Sequence, residues 1–331
     1  MEISTAKSAK KEDPRLDQAC TWLQQLDVDL QSGLHSVAGD ASFRRYFRLQ
    51  INGKSRILMD SPPPLEDVRP FIEIARLLRE AGLHAPEIPH ADESNGYLLL
   101  EDFGDDLYRD LLTEHNVHSI FPGLFDVLGK MALEADAKDL PLFDPYKLRR
   151  DMDLFPDWYL GRHRSAMPRE QIDAVWNEFC THIVDSALKQ PQCFVHRDFH
   201  SCNLIKTNGG RIGIIDFQDA VLGPISYDLV SLIWDRYIAW PRAQIESWIE
   251  EFRLQLGLDI GPEQWLRYCD LMGLQRNIKI VGIFARLYYR DGKNGYIEMI
   301  PRFYDYVTST LRHYPEFAPL LEILEQTECV P

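Results

Sequence analysis

The fold is decided by one stretch of the sequence, Phe194-Val195-His196-Arg197-Asp198-Phe199-His200-Ser201-Cys202-Asn203. Two apolar residues, typical of a buried strand, lead here into a polar loop. In the pattern His-x-Asp-x-x-x-x-Asn, Asp198 can accept the proton of a hydroxyl group. Asn203, five residues on, can reach back to hold a magnesium ion. The spacing therefore predicts a catalytic loop, although three fixed positions alone are only suggestive.

A second element, Ile214-Ile215-Asp216-Phe217, follows Asn203 at the distance expected for a hairpin between them. Asp216 closes an apolar strand, where a second magnesium ligand would have to sit. Two oxygen donors together with nucleotide phosphates suit Mg²⁺, which needs few protein ligands. The alternative for Asp216 is an ordinary turn residue, but the register of both elements favours the metal site.

These residues resemble the aminoglycoside phosphotransferase and choline kinase family, whose fold is similar to that of protein kinases. The segment His196–Asn203 is similar to the family's H-x-D-(L/F)-H-x-x-N loop, and Asp216 to its metal-binding Asp. Gly223-Pro224-x-x-Tyr227-Asp228-Leu229 is similar to its G-x-P-x-x-D-L segment. The resemblance covers about residues 34–310.

By position, the resemblance implies that Asp198 is the catalytic base, that Asn203 and Asp216 are metal ligands, and that ATP and Mg²⁺ are the cofactors. It further implies that Asp228 is a buried acceptor that braces the catalytic loop. The alternative for Asp228 is a helix N-cap.

Within that family the sequence is most similar to bacterial anomeric kinases of N-acetylmuramate and N-acetylglucosamine. The matching segments are Gly39–Tyr46, Met59-Asp60-x-Pro62-Pro63, Asp216–Ala220 and Gly282–Leu287. The resemblance implies an ATP-dependent sugar kinase that phosphorylates the anomeric hydroxyl of an amino sugar in peptidoglycan recycling. One alternative is a kinase of an aminoglycoside, choline or another small alcohol. Another is a catalytically silent, nucleotide-binding scaffold.

The chain as a whole is predicted to have an α+β, bilobal, protein-kinase-like fold. We expect an N-terminal tail and leading helix over residues 1–33, a β-rich N-lobe over 34–102, and a mostly helical C-lobe over 103–331. Strands are predicted in the N-lobe at 34–37, 46–50, 55–59, 87–90 and 97–101. Asn52-Gly53 predicts a hairpin turn, and residues 68–81 have the spacing of a helix.

Residues 37–47 would form the nucleotide loop, because small side chains let backbone N–H groups approach phosphates. An ordinary hairpin turn is the alternative. The resemblance implies that the nucleotide is bound by Gly39, Ala41, Ser42, Phe43, Arg44 and Glu101.

One departure from the kinase pattern concerns the third strand, where Met59 stands in place of the usual phosphate-binding Lys. Arg44, Arg45 or Arg48 of the second strand is a candidate replacement, and the sequence does not decide among them. This departure motivates the scaffold alternative. Asp102-Phe103-Gly104 spells a kinase metal motif, but it precedes the catalytic loop and is interpreted as a turn.

Three residues are candidate contacts for the acceptor substrate, namely His200, Asp219 and Arg286. Arg286 also lies on one helical face with Lys279 and Arg290, and that face could hold the carboxylate of N-acetylmuramate. The alternative is pairing of these cations with neighbouring acids.

Composition limits the remaining possibilities. The net charge of −15 disfavours a nucleic-acid or anionic-membrane binder. Six cysteines without a C-x-x-C pair fit a reducing compartment, and no signal peptide or membrane span is evident. We therefore predict a cytoplasmic protein with a small-molecule acceptor. A zinc pair of His196 and His200 would lack its third ligand.

Overall fold

The computed structural model describes residues 13–26, 28–37, 43–164 and 169–328. The predicted nucleotide-loop residues Gly39, Ala41 and Ser42 lie outside these ranges. The chain forms two compact units. The first runs to Glu73 and resumes over Pro86–Phe103, and the second comprises Ile74–Ala85 and the chain from Gly104 onward.

The first unit is built on a five-stranded sheet in which every pairing is antiparallel. The order of its strands is β1-β2-β3-β5-β4. The strands are β1 (His35–Val37), β2 (Arg45–Ile51), β3 (Lys54–Asp60), β4 (His90–Asp92) and β5 (Tyr97–Glu101). Helix α1 (Pro14–Gln25) begins at the cap Asp13 and buries Ala19 and Leu23 in the same apolar cluster as the sheet.

Two details of the sheet follow from single residues. The predicted Asn52-Gly53 turn is confirmed, and both residues have the positive φ, 50° and 71°, that this hairpin type requires. The strand predicted at 87–90 was placed too early, because Pro89 has no N–H for a ladder bond. Glu87 makes a backbone pair with Glu101, but β4 begins only at His90.

Helix α2 (Arg69–Glu80) leads from the first unit into the second, where helices dominate. The helices of the second unit are α3 (Tyr108–Leu111), α4 (Val117–Glu134), α5 (Pro145–Leu154), α6 (Arg169–Lys189), α7 (Tyr227–Ile233), α8 (Arg242–Leu256), α9 (Pro262–Asp291), α10 (Ile300–Leu311) and α11 (Ala318–Glu328). Two antiparallel pairs complete it, β6 (Gln192–Val195) with β9 (Val221–Pro224), and β7 (Leu204–Lys206) with β8 (Ile212–Ile214). The predicted α+β class, with a small sheet-based part and a larger helical part, is confirmed.

The long helix α9 organises the second unit, since α5, α6, α7, α8 and α10 all contact it. A π-helical segment, Phe155–His163, also packs against α9. Where α5 meets this segment, α9 approaches closely, since a Cβ atom at Gly282 would lie 2.5 Å from the carbonyl carbon of Leu154 and 2.6 Å from the nitrogen of Phe155. In the described ranges, no helix combines the length and apolar character needed to cross a membrane.

Candidate active site

The predicted catalytic loop follows β6 from His196 onward, and hydrogen bonds to its main-chain N–H groups hold it in place. Asp228, in the first turn of α7 and 2% exposed, accepts hydrogen bonds from the N–H groups of His196 (2.6 Å) and Arg197 (3.0 Å). The predicted bracing role of Asp228 is therefore confirmed over the N-cap alternative. Burial raises the pKa of Asp228 to about 6.

Arg197 has a φ of +76°, a left-handed conformation that is costly for a residue with a side chain. The two oxygens of Asp228 each accept one N–H group of the peptides on either side of His196, and these two hydrogen bonds stabilise the turn. The Arg197 guanidinium lies over the ring of Phe143 and 3.6 Å from Asp151.

His196 links the loop to the end of the β7–β8 pair. Its Nε2 lies 3.0 Å from the carbonyl oxygen of Ile215, and its Nδ1 accepts the N–H of Asp198 at 3.3 Å. Burial lowers the pKa of His196, so the ring is neutral with the proton on Nε2. Both ring nitrogens of His196 are thus engaged in contacts with the protein.

The zinc pair of His196 and His200 finds no further ligands, since no three His, Cys, Asp or Glu side chains of the described chain are grouped to hold a metal.

The two predicted metal ligands lie side by side. Asn203 Nδ2 donates to the main-chain oxygen of Asp198 at 2.9 Å and lies 3.4 Å from Asp216 Oδ2. Gln218 Nε2 donates to the other oxygen of Asp216 at 2.9 Å. Asp216 has a φ of +62°, again left-handed. The donors therefore comprise one amide oxygen and one oriented carboxylate, which suits Mg²⁺.

Asp198 itself is half exposed and faces cations of α9. Its side chain is 51% exposed, and Arg276 Nη2 lies 3.9 Å from its Oδ1. Partial enclosure would raise the pKa of Asp198, but Lys279, His200 and Arg276 hold it at about 2. Since burial lowers the pKa of His200 to about 4, that ring is neutral near pH 7. Lys279 and Arg276 thus keep Asp198 ionised.

Lys279 is the central cation of this site. Its Nζ lies 3.2 Å from the hydroxyl of Tyr227 and 3.7 Å from Asp151 Oδ2. Burial would lower the pKa of Lys279, but Tyr227, Asp151 and Asp198 raise it, so the ammonium is retained. The sequence placed Lys279 in a basic face but missed Asp151 and Arg276. Arg276 lies one helical turn before Lys279, and that spacing was the available signal.

The candidate acceptor contacts have different environments. His200 is buried, and its Nδ1 has no hydrogen-bond partner in the described residues. Asp219 is exposed. Arg286 is partly buried with an unpartnered Nε, whereas Arg290 is exposed and pairs with Asp291. The three basic residues of α9 therefore share a helical face but not a common partner.

The predicted nucleotide residues that the structure describes all lie in the first unit. Phe43 is 63% exposed, and Arg44 pairs with Glu66 at 2.9 Å. Glu101 ends β5, and its carboxylate accepts the N–H of Glu87.

The arginines near the missing third-strand Lys are also engaged. Met59 is fully buried, and the next residue, Asp60, receives both Arg15 and Arg45. Arg48 binds Asp102 at 2.7 Å. Asp102 is therefore an ion-pair partner within the first unit.

Comparison with known proteins supports the interpretation of these motifs. Residues 33–267 match the phosphotransferase enzyme family. The chain is 39% identical to the N-acetylmuramate/N-acetylglucosamine kinase of Pseudomonas putida, over 96% of this chain and 97% of that protein.

Solved structures have the same fold. A choline/ethanolamine kinase family protein of Mesorhizobium loti gives a TM-score of 0.64 at 15% identity, covering 93% of this chain and 98% of that one. A thermostable mutant of aminoglycoside phosphotransferase APH(4)-Ia, in complex with AMP-PNP and hygromycin B, gives 0.57 at 18% identity over 88% and 97%. The predicted protein-kinase-like fold is confirmed, and the chain belongs to the phosphotransferase enzyme family.

Proposed function

We propose that this protein is an ATP-dependent kinase that phosphorylates the anomeric hydroxyl of N-acetylmuramate and N-acetylglucosamine. The observation that carries the proposal is the 39% identity, over almost the full length of both chains, to a kinase named for these two sugars. The geometry around Asp198 supports the same chemistry. The resemblance to anomeric kinases further implies a role in peptidoglycan recycling.

In this proposal Asp198 is the proton acceptor. Its carboxylate is ionised across the physiological range because Lys279 and Arg276 hold its pKa at about 2, although partial enclosure opposes this. Asp198 accepts the hydroxyl proton as the new oxygen–phosphorus bond forms. Its main task is to orient the hydroxyl, since a loose phosphoryl transition state gains mostly from alignment.

Asn203 and Asp216 are proposed to hold Mg²⁺. The amide group of Asn203 donates to the main chain of Asp198, which leaves its carbonyl oxygen available as a ligand. Bound Mg²⁺ would supply positive charge to the nucleotide phosphates. The backbone of Asp216 and the amide of Gln218 keep the second carboxylate oriented for this purpose.

The nucleotide is proposed to contact residues of the first unit. These are Gly39, Ala41, Ser42, Phe43, Arg44 and Glu101, the same residues that the sequence indicates. A related fold binds the ATP analogue AMP-PNP, which supports ATP as the donor here.

The acceptor is proposed to lie near His200, Asp219 and Arg286. The partly buried guanidinium of Arg286 has an unpartnered Nε in the described chain and is the candidate for binding the carboxylate of N-acetylmuramate. The silent-scaffold alternative is disfavoured because Asp198, Asn203 and Asp216 are all present and brought together. The cytoplasmic location and the absence of nucleic-acid and membrane partners stay predictions.

The test is an ADP-release assay with N-acetylmuramate, N-acetylglucosamine, choline and an aminoglycoside as acceptors. We expect turnover with the two amino sugars only, with dependence on Mg²⁺. Loss of the reducing end of the sugar, measured in parallel, identifies phosphorylation at the anomeric position. Turnover with choline or the antibiotic, or a product that keeps its reducing end, would contradict the proposal.

A further inference from the structure

Arg276 is a mostly buried cation that makes no hydrogen bond to another residue of the described chain. Its side chain is 5% exposed, and within the described residues its one ionic partner is Asp198, at 3.9 Å. That distance is too long for a hydrogen bond. A guanidinium carries five N–H donors, and here no carboxylate or carbonyl of the described residues lies within hydrogen-bond distance of them.

Another arginine of the same unit shows the ordinary arrangement. Arg242 binds Asp270 through two parallel hydrogen bonds of 2.6 and 2.7 Å. Asp270 lies on α9, the helix that carries Arg276. Helix α9 therefore supplies the carboxylate of one complete arginine pair and carries another arginine, Arg276, that has no hydrogen-bonded acceptor among the described residues.

We infer that Arg276 binds the phosphoryl group while it is being transferred, an inference that rests on the proposed function. In that step the acceptor oxygen forms a bond to the γ-phosphorus, and the hydroxyl proton passes to Asp198. The bond from phosphorus to the β-phosphate oxygen breaks, and ADP leaves with the electron pair. A cation 3.9 Å from Asp198 lies beside the point where the new bond forms. Its planar fork suits the oxygens of a phosphoryl group.

The carboxylate of N-acetylmuramate is the other anion that Arg276 could receive. N-Acetylglucosamine has no such group, so an arginine that served only the carboxylate would contribute to the reaction of N-acetylmuramate alone. The phosphoryl group is common to both reactions. Lys279 is a less suitable ligand for the phosphoryl group than Arg276, because its ammonium already contacts Tyr227 and Asp151.

The test compares Arg276→Gln and Arg276→Lys with wild type and with Arg242→Gln, which removes an arginine that is already paired with a carboxylate. We measure kcat and KM for both sugars, ADP affinity by calorimetry, and the melting temperature. We expect kcat of Arg276→Gln to fall about 10²–10³-fold for both sugars, the loss typical of one transition-state donor, with ADP affinity unchanged. Arg242→Gln should melt earlier but keep its kcat.

Other outcomes overturn the inference. A loss with N-acetylmuramate alone assigns Arg276 to the carboxylate, and an unchanged kcat assigns it no role. Joint loss of ADP affinity and thermal stability assigns it to the fold. If Arg276→Gln does not fold, Arg276→Lys decides, since a folded variant with reduced kcat for both sugars supports the inference and wild-type kcat rejects it. Wild type inactive on both sugars rejects the proposed function as well.

Discussion

Two buried aspartates, one in each unit, differ in how completely they are satisfied. Asp60, fully buried in the first unit, accepts the Nε of Arg15 and of Arg45, each at 2.9 Å and each on a different oxygen. Asp151, 7% exposed in the second unit, has an Oδ2 with no hydrogen bond in the described chain. Two cations, Arg197 and Lys279, lie 3.6 and 3.7 Å from that oxygen.

The two aspartates suggest a criterion that distinguishes charged residues that stabilise the fold from those that serve the reaction, namely whether the carboxylate oxygens are hydrogen-bonded. Arg15 and Arg45 each direct two N–H donors to one oxygen of Asp60, and these charge-assisted hydrogen bonds fix the carboxylate in one geometry. Charges held just beyond hydrogen-bond distance keep a strong field with room for movement. The same arrangement occurs at Asp198, where the Arg276 guanidinium lies 3.9 Å from the carboxylate.

The largest expected effect tests the functional side of this comparison. Asp198→Asn keeps the size of the side chain but cannot accept the proton, so kcat should fall about 10²–10⁴-fold. Nucleotide affinity and melting temperature should change little because the side chain is half exposed. Steady-state kinetics with calorimetry checks this. Near-normal kcat would remove Asp198 from the role of base.

A matched pair of substitutions tests the comparison directly. Asp60→Asn should lower the free energy of unfolding by about 1–3 kcal/mol, the cost of a lost charged partner, and leave kcat unchanged. Asp151→Asn should have the opposite profile, with a reduced kcat and little loss of stability. Chemical denaturation and kinetics on both variants decide. The comparison fails if the two variants behave alike.

Arg286 allows the same distinction between a functional and a structural charge to be tested on α9. If it binds the sugar's carboxylate, Arg286→Ala should raise KM for N-acetylmuramate about tenfold, since 1.4 kcal/mol corresponds to that factor. N-Acetylglucosamine should be much less affected. The exposed Arg290→Ala serves as the control. An equal effect on both sugars, with a lower melting temperature, would give Arg286 a structural role.

The smallest effect concerns pH. Burial raises the pKa of Asp228 to about 6, and only the ionised form can accept both loop amides. We expect kcat to fall as the pH drops through about 6, reaching about half its plateau there. Asp198 does not explain such a limb, because cations hold its pKa at about 2 against partial enclosure. A pH profile of Asp228→Asn should lack this limb, and a limb that persists would contradict the assignment.

Those parts of the fold that depend on a few neighbouring residues could be predicted from the sequence. Asn52-Gly53 specified a hairpin because the turn conformation depends on those two residues alone. The early placement of the fourth strand arose because apolar periodicity outweighed the missing N–H of Pro89. The two-unit division also departs from a linear reading, since residues 74–85 belong with the second unit. No residue pattern within 74–103 indicates that the chain passes to the second unit and then back to the first.

In the site, loop residues could be predicted and their partners could not. Asp198, Asn203 and Asp216 follow from spacing along one segment. Asp151 and Arg276 come from α5 and α9, and only tertiary packing brings them to the loop. Lys279 was visible as a charge, but its contact with Tyr227 depends on how α7 packs on α9.

The support of the catalytic loop has a consequence for sequence variation. Asp228 binds main-chain N–H groups, which nearly every amino acid supplies, so the brace does not depend on the side chain at position 197. In a saturation scan, position 228 should accept almost no replacement. Position 197 should keep the loop backbone with residues that adopt a positive φ, Asn and Gly best, although these replacements lose the Arg197 contacts with Phe143 and Asp151. The backbone geometry that presents Asp198 therefore depends on position 228 more than on the side chain at position 197.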